Sequence, residues 1–187
     1  MRQNIYLGSG SPRRFDLLTQ AGIKFTKRSI EIEETYPENT PTDRIAEYLA
    51  EKKAKAHLDL LKDDDMVITA DTIVVQEGKV YGKPVDKDDA LNTIMTLSEN
   101  VHEVYTGVCF LSKDKQLSFT EKSDVCFGKI TEQEAVDYIE KFSPMDKAGA
   151  YGIQDWIGFT RILWIKGSYS NILGLPMAQV WDAMKAF

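Results

Sequence analysis

Residues 66–76, Met-Val-Ile-Thr-Ala-Asp-Thr-Ile-Val-Val-Gln, are almost continuously apolar. A run of this kind describes a strand covered on both faces, as strands are when a sheet lies between helices. It predicts an α/β fold. The same run holds one anomaly. Asp71 falls among residues that the pattern buries, where an unpaired carboxylate would be very costly. Either a cation stands close to it, or Asp71 ends the strand and binds loop N–H groups.

Strands and helices alternate along the rest of the chain. After a first strand ending at Leu7, residues 12–22 read as a helix closed by Gly22, and 23–32 alternate as a strand. Thr40, Pro41 and Asp43 open a long helix to Leu61, with Ile45, Leu49, Ala56 and Leu60 as its apolar stripe. Residues 77–79 form a turn, and 82–85 an extended link, because the residue before proline avoids helical geometry. Asp86 and Asp89 begin a helix through Leu97. Residues 102–112 and 117–130 form a hairpin around Lys113-Asp114-Lys115, and Thr131 with Glu134 makes a capping box. The Gly-rich stretch 147–154 leads to a strand at 159–167, a loop at 167–176, and a last helix whose Met177, Val180, Trp181 and Met184 face the core. No repeat or linker interrupts the 187 residues, so a single domain over 1–187 is expected.

Composition limits the function classes. The chain is 43% apolar and 28% charged, as ordinary globular proteins are, and no apolar run is long enough to span a bilayer. Its first residues carry no signal-peptide pattern, which makes the cytoplasm the expected compartment. A net charge of −6 argues against nucleic acid as a partner. An anionic substrate must then be held by local cations and a metal ion. Cys109 and Cys126 each sit in Val-Cys-Phe, where cysteine behaves as a small core side chain, and His57 and His102 show no partner pattern.

The charged residues that the pattern places near the core are few. In residues 8–14, Gly-Ser-Gly-Ser-Pro-Arg-Arg, the glycines let a ligand approach the backbone and a helix start follows beside two guanidinium groups. That stretch is either a phosphate cradle or a polar turn. Glu34 falls in phase with Ile30 and Ile32 if the strand continues, so it points inward, while Glu31 and Glu33 form a solvated face. Lys52 and Lys53 flank the helix stripe, and periodicity does not choose between them. Lys83 either meets a phosphate or sits in a wet loop, and Asp63–Asp65 read as a solvated loop.

Six motifs then coincide. Ser9–Arg14, Glu51–Ala56, Ala70–Thr72, Gly82–Pro84, Asp146–Gln154 and Gly167–Pro176 stand in the order found in the Maf family of nucleoside triphosphate pyrophosphatases, which the chain resembles over essentially its full length. Ala-Tyr-Gly-Ile-Gln at 150–154 looks like the branch acting on dTTP and UTP, as opposed to 7-methyl-GTP. Residues 155–159 depart from the more Gly-rich loop usual there, which bears on the base pocket. The resemblance implies a central mixed, twisted sheet flanked by helices, a long substrate cleft, a homodimer, and a divalent cation such as Mg or Mn. It assigns Ser9, Arg13, Arg14, Lys53 and Lys83 to the phosphates, Asp71 to catalysis, and Glu34 with Asp71 to the metal. Arg13, Thr72 and Gln154 fall at the positions tied to substrate choice.

These residues suit hydrolysis between the α- and β-phosphorus of a nucleotide. The charge must be neutralised, a water positioned and the leaving pyrophosphate stabilised. No Walker-type Gly-x-x-x-x-Gly-Lys-Ser/Thr is present, which argues against a P-loop enzyme. The Gln154 amide both donates and accepts, matching the O4 and N3–H edge of thymine and uracil; the alternative is that it satisfies loop backbone groups. A regulator that binds a nucleotide without turnover, acting on cell division through a protein partner, would use the same cations. Asp71 and Glu34 would give such a binder nothing.

Overall fold

The computed structural model describes residues 4–187, so Met1–Gln3 of the expected first strand lie outside it. Its sheet has seven strands: β1 Asn4–Leu7, β2 Thr26–Lys27, β3 Asp65–Gln76, β4 Lys79–Tyr81, β5 Val101–Leu111, β6 Gln116–Phe127 and β7 Ile162–Lys166. Their order is β2-β1-β3-β5-β6-β7, with β4 also paired to β3. β1 runs parallel to β2 and β3, while β4 and β7 run antiparallel to β3 and β6. The sheet is therefore mixed, and the α/β expectation holds. The helices are α1 Pro12–Gln20, α2 Thr42–Lys55, α3 Lys87–Leu97, α4 Glu132–Phe142, α5 Trp156–Arg161, α6 Tyr169–Ile172 and α7 Met177–Ala186. Among the described residues, no helix is long and apolar enough to cross a membrane.

The chain divides into two compact units, one of residues up to Thr72 with Thr106–Glu121 and Leu173–Phe187, the other of Ile73–Tyr105 and Lys122–Ile172. In the first, strand alternation sorts the sheet into two faces. Leu7, Met66, Ile68, Ala70, Val108 and Phe110 pack with Leu18 of α1 and Val180 of α7. Val67, Cys109 and Leu111 pack with Ala50 and Ala54 of α2 on the other face. Each fully buried aliphatic side chain contributes roughly 1.5–3 kcal/mol, so both helical layers are fixed by the apolar run that β3 presents on each side. Gly107 lets α2 come this close: a Cβ there would lie 2.2 Å from the Glu47 backbone nitrogen. The second unit has its own core, in which Ile94 and Leu97 of α3 and Tyr138 and Ile139 of α4 meet Val104, Val125 and Phe127.

Several local expectations change. The strand expected at 23–32 shrinks to Thr26–Lys27, because after Arg28 N–H bonds the Leu7 carbonyl the chain leaves the ladder. The long helix ends at Lys55, so Ala56 and Leu60 leave its face and are exposed; its buried stripe is Ile45, Ala46, Leu49, Ala50 and Ala54. Asp65 is buried, not solvated: it accepts from the Asn4 amide at 2.9 Å and the Lys62 N–H at 3.0 Å. Residues 156–161 are helical, so the strand expected at 159–167 begins only at Ile162; the N–H groups of Gly158 and Phe159 bond the Asp155 carbonyl. α6 makes one helical turn inside the expected loop, and Trp181 is exposed, with the Lys185 ammonium over its ring. The capping box at Thr131 and Glu134 is present as read.

Candidate active site

Alternation along β3 explains the placement of Asp71. Val67 and Thr69 face α2, the Thr69 hydroxyl donating to the Ala50 carbonyl at 2.7 Å, and Asp71 continues that row. It is only 7% exposed. α2 supplies the cation that a buried carboxylate requires: Lys53 Nζ bonds Asp71 Oδ1 and lies 2.8 Å from Glu34 Oε1. The lysine side chain is 13% exposed and Glu34 41%. Glu34 thus reaches the site, but not through strand phase, since residues 28–35 form no strand. The open choice between the lysines is also resolved. Lys53 meets the carboxylates, while Lys52 Nζ donates to the Thr35 carbonyl at 3.1 Å and hydroxyl at 3.0 Å.

Thr72 points to the opposite face, toward α1. There Arg14 is buried in the first turn of the helix, after Pro12. Its Nε donates to the Gly174 carbonyl at 2.7 Å, Nη1 to Ser9 Oγ at 3.1 Å and Nη2 to Thr72 Oγ1 at 3.0 Å. Thr72 and Thr106 share a further bond of 2.9 Å. One guanidinium therefore joins three of the six motifs. Burial pulls the Arg14 pKa below its ordinary value, and the charge of Asp71 opposes that shift. Arg13 is half-buried beside it. Ser11 precedes α1 without a side-chain cap, and its N–H donates to Ser9 Oγ at 3.2 Å.

The second unit carries Lys83 and Gln154, both with exposed side chains. Their motifs are tied together: the Gly149 N–H donates to the Gly82 carbonyl at 3.1 Å. Gly149 has φ +70°, and a Cβ on it would lie 2.8 Å from Val74, so this turn demands glycine. The loop backbone is held by other side chains than Gln154. The Gly152 N–H donates to Tyr138 Oη at 2.9 Å, and Tyr138 O–H donates to Asp155 Oδ2 at 2.8 Å. Burial, with Asp155 adding to it, pushes the Tyr138 phenol up and keeps it protonated. The unusual Asp155 is thus a structural partner of α4. Tyr151 is buried, its oxygen 2.8 Å from His102 Nε2, and both rings pack edge-on with Phe127 at 4.8 Å. Burial lowers His102 to about 4, so the ring is neutral at pH 7.

Sequence reading gave no role to Thr106, Tyr138 or either histidine. Each has at least one partner far away in the chain, and none breaks its local pattern. Among the described residues there is no cluster of three or more His, Cys, Asp or Glu able to hold a metal. Asp71 and Glu34, which share the Lys53 ammonium, are oxygen donors of the kind a hard cation takes, with its other ligands left to water and phosphate oxygens.

The sequence profile described as Maf-like protein matches residues 4–187. A dTTP/UTP pyrophosphatase of Parabacteroides distasonis is 42% identical over 187 residues, covering 100% of this chain and 97% of that protein. One from Phocaeicola vulgatus is 43% identical over 185 residues, 98% of this chain and 96% of its own length. The structure of a HAM1 protein from Coxiella burnetii covers 99% of this chain and 100% of its own at TM-score 0.56 and 13% identity, a likeness of fold. With the six motifs drawn into the two bonded clusters above, and the match spanning every described residue, the chain belongs to the Maf family.

Proposed function

We propose that this protein is a nucleoside triphosphate pyrophosphatase that hydrolyses dTTP and UTP to the monophosphate and pyrophosphate. The observation that carries the reading is the pair of carboxylates, Asp71 and Glu34, converging on Lys53 beside the buried Arg14. A protein that only held an anion would gain nothing from those carboxylates, which disfavours a regulator without turnover. Full-length relatives named for this activity support the substrate class.

Arg13, Arg14, Lys53 and Lys83 neutralise the triphosphate and the departing pyrophosphate. Ser9 and Thr72 fix the guanidinium of Arg14 in place. With Oδ1 on Lys53, Asp71 offers its other oxygen to the attacking water, orienting it and accepting its proton. Glu34 and Asp71 would hold the Mg or Mn ion, which when bound lowers the pKa of a water and shares the phosphate charge. Gln154 reads the O4 and N3–H edge of the base, free of the backbone duties that Tyr138 and Asp155 perform. We further place the enzyme in the cytoplasm, in keeping with its free cysteines, and as a homodimer. The second unit's strand β7 ends the sheet with Leu163 67% exposed and follows Phe159, 76% exposed, an apolar edge that a second copy would cover.

The test is a panel of nucleoside triphosphates with Mg or Mn, with products identified. Monophosphate and pyrophosphate are expected, with loss of turnover on chelation. Diphosphate with orthophosphate, or no turnover of any nucleotide, ends the reading.

A further inference from the structure

His57 is fully buried, and no step above uses it. It follows the last turn of α2, where the helix gives way to a 3-10 turn at Leu58–Leu60. Its Nδ1 lies 2.8 Å from the Lys53 carbonyl oxygen and its Nε2 lies 2.8 Å from the Arg28 carbonyl oxygen. Both partners matter to the site. Lys53 is the residue whose ammonium joins Asp71 to Glu34, and Arg28 opens the segment that carries Glu34.

Residues 28–35 form neither helix nor strand and are mostly exposed. A segment with few buried contacts opens at low cost. Its two ends are held by the last turn of α2 and the residue just beyond it: His57 takes the Arg28 carbonyl, and Lys52 takes the Thr35 carbonyl and hydroxyl. Glu34 lies between these ties.

We propose that His57 is a positioning residue: by tying the Arg28 carbonyl to the turn that follows α2, it sets Glu34 beside Lys53 and Asp71. Its effect on turnover rests on the roles given above to Glu34 and Asp71, whereas its hold on the segment does not.

The two bonds can be cut one at a time. An asparagine amide nitrogen falls near the place of Nδ1, and a glutamine amide nitrogen near that of Nε2. His57→Asn therefore keeps the bond to Lys53 and loses the tie to Arg28; His57→Gln does the reverse. Each variant removes one bond from the same buried place, so a merely structural residue would give both the same loss.

Hydrogen exchange is read in metal-free, nucleotide-free protein. Exchange at the backbone amides of residues 29–35 is expected to rise about tenfold in His57→Asn and to stay within about twofold of wild type in His57→Gln. At saturating nucleotide and metal, kcat is expected to fall roughly tenfold in His57→Asn and to be rescued in His57→Gln. Equal exchange in the two variants overturns the proposal. Should His57→Asn fail to fold, His57→Gln decides alone, since raised exchange at 29–35 in that variant overturns it too. Exchange that diverges while kcat does not supports the tie and overturns the role of Glu34 instead.

Discussion

In the first unit, Lys53 bonds two carboxylates and Arg14 lies within the field of both. In the second, the loop at 146–155 is held by Tyr138, Tyr151 and His102, whose rings are neutral at pH 7. Both arrangements satisfy buried polar groups, but they suit different tasks. Charges attract a polyanion over several ångströms and tolerate small displacements of it. Neutral hydrogen bonds and ring packing act only at contact, so they fix the shape of the loop. The two regions should therefore fail in different ways when a partner is removed.

The largest effect is expected from the charged cluster. Asp71→Asn should lower kcat by a factor on the order of 10² to 10⁴, while nucleotide binding remains measurable by calorimetry. A near-normal kcat would remove Asp71 from the chemistry and the contrast with it.

A pH titration probes the neutral region. His102 is held near 4 by burial, whereas an unfolded histidine takes up its proton at 6.5. Below 6.5 the unfolded chain binds a proton that the folded chain refuses, so stability falls as pH drops from 6.5 toward 4, by roughly 3 kcal/mol in all. Thermal melts across that window should show a shallower slope for His102→Phe than for wild type. Parallel slopes would mean that the ring takes up its proton at the same pH in the folded and the unfolded chain.

Gln154→Ala should act on choice more than on rate. Leaving a buried base edge unsatisfied costs roughly 1–3 kcal/mol, so the preference for dTTP and UTP over CTP, about tenfold or more in the wild type, should flatten. Values of kcat/KM for each nucleotide in both proteins check this, and an unchanged ranking would place base recognition elsewhere. The smallest effect belongs to a bond outside both regions. Lys113→Ala removes an exposed 2.8 Å pairing with Asp63 and should leave Tm within experimental scatter.

Much of the first region was legible because burial and charge conflict visibly in a sequence. An aspartate inside Thr-Ala-Asp-Thr-Ile-Val-Val demands a cation, and the structure supplies Lys53. Glu34 was named through an alternation that the chain does not follow; it arrives at Lys53 by a path that only tertiary contacts define. The choice of Lys53 over Lys52 was invisible to periodicity, since both stand beside the same stripe. The second region left fainter traces. Tyr138 and His102 sit at ordinary apolar positions, and their bonds to Asp155 and Tyr151 span 17 and 49 residues. Residues 159–161 looked like strand because they run on into the apolar Ile162–Ile165, while Asp155 opens the helix through its main-chain carbonyl alone.

Gly107 has a consequence for anyone who surveys this protein by saturation mutagenesis. A methyl group there must displace the main chain at Ala46 and Glu47, less than two helical turns from Lys53 along the same rigid helix. Its variants would score among the inactive ones although the position touches no reacting atom. A map of intolerant sites would thus draw the boundary of the chemistry too wide, and separating folded yield from specific activity at Gly107 would show by how much.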